Sequence, residues 1–279
     1  MITTISSANI VHSQTSYIDY QSPFHSTTSI GAMVASQNHS SSEIGIEIIK
    51  KGGNAVDAAV AVGFSLAVTL PRAGNLGGGG FMMIYMKDRG EILAIDYRSQ
   101  SPEGLKTDQI FGVNLPDEYK KANRDIVRYG YKASTVPGTV SGLILAHSQF
   151  GKLPLEVVMR PAIEQARKGI NVSYDLEQAI ASAPQLSWDA ESKRIYFHQG
   201  KPLKRGDLMK RPDLANTMNL ISMNGLKGFY DGEVAEKITS SMAKNGGEIT
   251  TDDLKKYRAR FTQPIGVNYR GNKVYTHGP

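Results

Sequence analysis

From Ala58 to Leu70 the chain reads AAVAVGFSLAVTL, an uncharged apolar run stopped by Pro71. A bilayer span needs ~20 such residues, so this run is too short to cross a membrane. A helix on a protein surface carries one apolar stripe, whereas this one is apolar on nearly every side. It predicts a central buried helix, Ala55 to about Leu70, around which the rest of the chain must pack. Ala58, Ala59, Ala61, Gly63 and Ala67 leave so little side chain that neighbouring elements can approach closely. Asn54 and Asp57 supply a cap and an acidic first turn. Gly52 stands where a preceding helix, opened by the Ser-x-x-Glu pattern of Ser40 to Glu43 and carried on by Ile44 and Ile48, needs a left-handed residue to end.

Enough chain is present to enclose such a helix: 279 residues, 40% hydrophobic and 21% charged, as in ordinary globular proteins. The net charge of +6 favours anionic partners only in a general way. Basic residues are scattered, without the runs or interleaved aromatics of nucleic-acid binders, so no nucleic-acid partner is expected. The absence of cysteine excludes disulfides and thiol chemistry. The six histidines are far apart in sequence, and neither a metal site nor a cofactor is expected. The start, MITTISSANIVHSQTSYIDY, has no basic head, apolar core or cleavage site, so no secretory signal is visible.

Residues 1 to 29, rich in Ser, Thr, Gln and His, read as a poorly ordered leader. Ile30 to Ser36 is expected to form a short strand. After Pro71, Phe81 to Met86 and Glu91 to Tyr97 predict a hairpin joined by Lys87 to Gly90, followed by a long connection from Ser99 to Tyr131. Helices are predicted over Gly138–Phe150, Leu155–Lys168, Tyr174–Ala183, Pro212–Met223 and Val234–Lys244, with Gly151, Gly169, Gly225 and Gly246 as stops. Pro161 should kink or split the second of these. Thr250 to Asp253 caps a short helix reaching about Tyr257. Ile265–Tyr269 and Lys273–Thr276 flank Gly271-Asn272 as a closing hairpin. No repeat or linker interrupts 30–279, which reads as one domain or part of one.

Four glycines, Gly77, Gly78, Gly79 and Gly80, invite a phosphate-loop reading. Context opposes it: a nucleotide loop follows a strand and opens a helix, and this one follows a helix and opens a strand. The glycines are expected to be structural, letting backbone pack where no side chain fits. Arg98, just past a strand, can match a carboxylate with two parallel hydrogen bonds, although an arginine so placed is more often a surface or ion-pair residue. Ser65, in Gly63-Phe64-Ser65, resembles half a nucleophile elbow but falls within the apolar helix and reads as a core serine. Thr27-Thr28 and Thr276-His277 carry no persuasive catalytic context.

Taken in order, GGNAVDAA (Gly52–Ala59), AGNLGGGGF (Ala73–Phe81), DYRSQSP (Asp96–Pro102), VPGTVSG (Val136–Gly142), GFYDGEVAE (Gly228–Glu236), NGGEITTDDL (Asn245–Leu254) and VNYRGNKV (Val267–Val274) resemble the gamma-glutamyltranspeptidase family over about nine tenths of the chain. The resemblance implies an α/β fold, the N-terminal-nucleophile hydrolase αββα sandwich, of which residues 30–279 would be the large-subunit part. The sandwich would thus be incomplete, truncated before the catalytic small subunit that carries the family's threonine nucleophile. No catalytic residue is expected within the chain itself. Asp96-Tyr97-Arg98 matches the family's D-x-R motif, which implies that Arg98 grips the α-carboxylate of a gamma-glutamyl group. The next residues, Ser99-Gln100-Ser101-Pro102, depart from the Glu-Thr-Ala-Pro often found there. Glutathione or other gamma-glutamyl compounds, and a small subunit, are the implied partners. Bacterial members are commonly exported, so the resemblance implies the periplasm or outside, while the start without a visible signal leaves open a trimmed or misassigned start or a cytoplasmic protein. Two other readings stand beside this one: a catalytically silent remnant or scaffold, and a related acylase acting on another amide.

Overall fold

A computed structural model describes residues 28–106 and 128–278. The leader therefore lies outside the described residues except for its last two, as do residues 107–127 of the long connection. The chain divides into two units, Met1–Met33 and Val34–Pro279. Of the first, only residues 28–33 are described, and they form no helix or strand. The strand expected over Ile30–Ser36 is absent: Ile30 and Met33 are exposed, so alternation there has no apolar face to bury.

In the second unit α1 (His39–Lys50) leads into α2 (Ala55–Thr69). Asn38 caps α1, its side chain accepting the Ser41 N–H, so the helix starts ahead of the expected Ser40 cap. Asn54 and Asp57 form a reciprocal capping box at the start of α2. Asp57 is fully buried and also accepts the Lys152 N–H at 3.0 Å, tying this helix start to a distant loop. Val60, Ala61, Phe64 and Val68 are wholly enclosed. The hydroxyls on α2 are satisfied inside the protein: Ser65 Oγ lies 2.7 Å from Ser41 Oγ and donates to Gln165 Oε1, while Thr69 Oγ1 lies 2.9 Å from Ser41 Oγ. Ser65 is thus a core serine linking three helices.

The hairpin β1 (Gly80–Met86) and β2 (Glu91–Tyr97) joins β7 (Arg260–Thr262) in an antiparallel sheet of order β1-β2-β7. α3 (Thr139–Phe150) lies between this sheet and α2. α4 (Leu155–Lys168) packs against α2 and α7 (Pro212–Asn224). α4 runs unsplit through Pro161, because burial of Val158, Met159, Ala162, Ile163 and Ala166 outweighs one missing backbone hydrogen bond. Between α4 and α7 stands a satellite of which the sequence revealed only one helix, expected over Tyr174–Ala183. It comprises β3 (Ile170–Asn171), α5 (Tyr174–Ala181), α6 (Ala190–Tyr196), β4 (Phe197–His198), β5 (Lys201–Pro202) and β6 (Leu208–Met209), around a small core of Val172, Leu176, Ile180, Leu203 and Met209. Then come α8 (Lys227–Tyr230), α9 (Gly232–Lys244) and α10 (Thr251–Lys256), the last opened by the expected Thr250–Asp253 capping box. The closing hairpin pairs β8 (Ile265–Tyr269) with β9 (Asn272–Thr276). Its turn is Arg270-Gly271, one residue before the expected pair. Both have positive φ, 49° and 81°, as a two-residue turn matched to strand twist requires.

The glycine run and the start of α3 close on the end of β2. Gly78 O accepts the Gly138 and Thr139 N–H groups at 2.7 and 3.1 Å. A Cβ on Gly79 would stand 2.7 Å from Tyr97 O and nearer still to Ser99 N. One on Gly138 or Gly142 would overlap Tyr97, and one on Gly80 would meet its ring at 2.9 Å. Gly77 differs, since its Cβ would meet only Asn75 Oδ1, at 3.2 Å.

Two stability measurements follow from this packing. Gly79→Ala should lose about 3 kcal/mol or more by forcing backbone against backbone, and Gly77→Ala less than about 1 kcal/mol. Equal denaturation midpoints for the two would refute the close approach. Asp57→Ala, which removes a buried carboxylate that accepts backbone N–H groups at two places in the chain, should cost about 2–4 kcal/mol by denaturant titration; a loss below 1 kcal/mol would show that water replaces the carboxylate there.

Candidate functional site

Arg98 follows the last residue of β2, and its backbone is held on both sides. Its N–H donates to Asp96 Oδ1 at 2.9 Å, and its carbonyl accepts from Tyr257 Oη at 2.8 Å. Two residues on, Gln100 and Val136 exchange backbone hydrogen bonds of 3.2 and 2.7 Å. The Tyr257 ring stacks on Tyr230 at 5.8 Å. Tyr230 Oη in turn donates to Pro137 O at 2.8 Å and accepts the Ser141 N–H. Burial raises both phenols, Tyr257 to about 12 with help from the Asp96 charge, so each keeps the proton it donates.

The side chain of Arg98 is a different matter. It is exposed, and its guanidinium makes no hydrogen bond or ion pair with any described residue. Other arginines are committed. Arg72 pairs with Asp175 at 2.9 Å, and Arg260, directly opposite Asp96 across the β2–β7 ladder, gives Asp96 Oδ2 a bond of 3.0 Å. Partial burial pushes the Asp96 carboxyl upward, but the Arg98 N–H, the Arg260 guanidinium and the nearby His277 more than offset it, and the group lies below its ordinary range. Asp96 is therefore an ionised, occupied acceptor two residues from Arg98, whose cation has no partner among the described residues.

Of the residues singled out from the sequence, Gly78, Gly79 and Gly80 come together with the Arg98 segment, and Gly77 leads into them. Ser65 is buried in the helical core, away from the sheet end. Thr276 sits in the β8–β9 ladder opposite Ile265. His277 contacts Thr262 Oγ1 at 3.0 Å and lies against the Phe81 ring at 4.1 Å. Tyr257, Tyr230 and Arg260 were not identified from sequence. They reach Arg98 and its neighbours only through tertiary structure; Tyr230 lies within the GFYDGEVAE motif, but nothing local gave it or the other two a role at the site. A cavity of about 750 Å³ lined by Tyr129, Tyr131, Trp188 and Asp189 does not include Arg98. Among the described residues no group of three His, Asp or Glu could hold a metal ion, and no helix is long and apolar enough to cross a membrane.

Comparison with known proteins identifies the family. The family model described as gamma-glutamyltranspeptidase matches residues 41–279. The chain is 42% identical over 259 residues to the glutathione hydrolase proenzyme of Escherichia coli, covering 92% of this chain and 43% of that protein. It is 38% identical over 246 residues to that of Pseudomonas aeruginosa, covering 88% and 42%. The chain thus spans less than half the length of these relatives. The crystal structure of Helicobacter pylori gamma-glutamyltranspeptidase superposes with a TM-score of 0.84 at 36% identity, over 92% of this chain and 72% of that one. The mixed helix-and-sheet fold is accordingly that of the N-terminal-nucleophile hydrolases, and the chain belongs to the gamma-glutamyltranspeptidase family.

Proposed function

We propose that this chain is the large-subunit part of a gamma-glutamyltransferase or glutathione hydrolase, with Arg98 as the anchor for the α-carboxylate of the gamma-glutamyl donor. The observation that carries the reading is an exposed guanidinium without a described partner, on a backbone fixed from both sides, in the D-x-R motif of a family member. A gamma-glutamyl donor presents its α-carboxylate far from the scissile carbonyl. Two parallel charge-assisted bonds there would hold the carbonyl in register for attack. The nucleophile would be a threonine at the start of a separate catalytic segment, whose own amine serves as base. Its hydroxyl forms an acyl-enzyme, which water or an amino acid resolves.

Support for a docking segment comes from the sheet. Phe81, Met83 and Tyr85 of β1 are exposed, as is every residue of β8 and β9, among them Val267, Tyr269, Val274 and Tyr275. Among the described residues β1 and β7 each have one strand neighbour. Open apolar strands of this kind are receptive to further chain.

Steady-state kinetics on the chain assembled with a threonine-bearing catalytic segment test the assignment. Removing one side of a desolvated charge pair costs ~2–5 kcal/mol, so Arg98→Ala should lower kcat/KM by roughly two to three powers of ten. Arg98→Lys should recover only part, since an ammonium lacks the planar fork. Arg72→Ala should stay near wild type, because an exposed pair such as Arg72–Asp175 contributes at most ~1 kcal/mol. Unchanged kinetics for Arg98→Ala would remove the anchor and favour a related acylase, whose amide substrate need carry no α-carboxylate. Separately, the purified chain by itself should release no product from a gamma-glutamyl anilide; turnover in that preparation would reveal a nucleophile within these residues.

A further inference from the structure

Asp96 poses a competition problem for Arg98. Its carboxylate already receives the Arg98 N–H at 2.9 Å, so it lies within reach of that residue's long cationic arm. A fixed carboxylate next to the guanidinium acts at a high effective concentration against any dissolved one. Yet the fork of Arg98 is not spent on it. The second oxygen of Asp96 is taken by Arg260, through Nη2 at 3.0 Å and Nε at 3.3 Å. The two residues are direct partners in the β2–β7 ladder, so strand register delivers Arg260 to Asp96. The Asp96 side chain is largely shielded and the Arg260 side chain largely exposed, at 16% and 70%, which leaves the carboxylate little room for a second cation. Among the described residues, His277, beyond β9, and Tyr257, beyond α10, also face it.

We propose that Arg260 is a positioning residue: by occupying Asp96 it keeps the Arg98 guanidinium unpaired and available to a substrate carboxylate. This rests on the reading of Arg98 as the α-carboxylate anchor. Arg260 itself touches no substrate in this scheme. Its effect is to remove a resident competitor, so its loss should weaken donor binding without slowing acyl transfer once the donor is seated.

The test is kinetics on the assembled enzyme with Arg260→Met, Arg260→Lys and the double variant Asp96→Asn/Arg260→Met, each first shown to process and to melt cooperatively. Arg260→Met should raise KM for the donor about fivefold, the scale of a partly exposed ion pair, with kcat nearly unchanged. Arg260→Lys keeps a cation on Asp96 and should stay close to wild type. The double variant is decisive. An asparagine still accepts the Arg98 N–H but cannot hold the guanidinium as an ion pair, so KM should return toward wild type. If the double variant is as impaired as Arg260→Met, Arg260 acts by touching substrate or by stabilising β7, and the proposal falls. A normal KM for Arg260→Met also overturns it. Should Arg98→Ala be silent as well, the anchor assignment has failed; a damaged Arg98→Ala beside a silent Arg260→Met would remove the Arg260 proposal alone.

Discussion

A helix buried over most of its surface can persist only if each buried polar group it carries finds a partner within the protein. α2 meets that condition along its length. Asp57 closes the N-terminal end with backbone donors from its own helix and from the loop after α3. Ser65 and Thr69 share hydroxyl bonds with α1, and Arg211 reaches back to the Ala67 carbonyl from the start of α7. Apart from the capping box within α2 itself, these contacts also recruit neighbouring elements, so satisfying α2 and assembling the helical layer are one event. The sheet is then placed by α3, which touches α2 on one side and β1 and β2 on the other.

From that scaffold to Arg98 the argument passes through missing side chains. Tyr97 lies against Gly80, Gly138 and Gly142, and the backbone around Arg98 passes over Gly79. These approaches are closer than any Cβ allows, so they define the path of the chain more tightly than apolar packing could. The stacked pair Tyr230 and Tyr257 completes the support from the far side, each phenol giving its proton to a backbone carbonyl.

What the sequence disclosed divides along the range of the forces involved. The buried helix, the β1–β2 hairpin and the Thr250 cap are written in contiguous residues, and each was legible. Errors arose where a local pattern lacked tertiary backing. Ile30–Ser36 alternates but pairs with no strand among the described residues, and Pro161 carries a breaker's signature inside a helix that burial keeps unsplit. Ser40 offered a plausible cap, but Asn38 stood two residues earlier with the same chemistry. In the satellite between α4 and α7 the Tyr174 helix was legible, but the strands are of two residues each, too short for any periodicity. For Arg98 the residues alone gave only an arginine after a strand, and family resemblance singled it out. Its supports, Tyr257 and Arg260, come from more than 150 positions away and were invisible until register and packing put them there.

The attachment of Arg98 has an evolutionary corollary. Position 98 is located by its main chain, through an N–H, a carbonyl and the glycines beneath, while its side chain contributes no described contact. Folding therefore depends little on which residue stands there. A lineage could exchange the cation for a neutral or acidic group and present a new chemistry at the same place in space, with the core left undisturbed. Stability and ligand preference are separable at this point of the fold, which makes it a site where specificity can drift without the protein first having to become more robust.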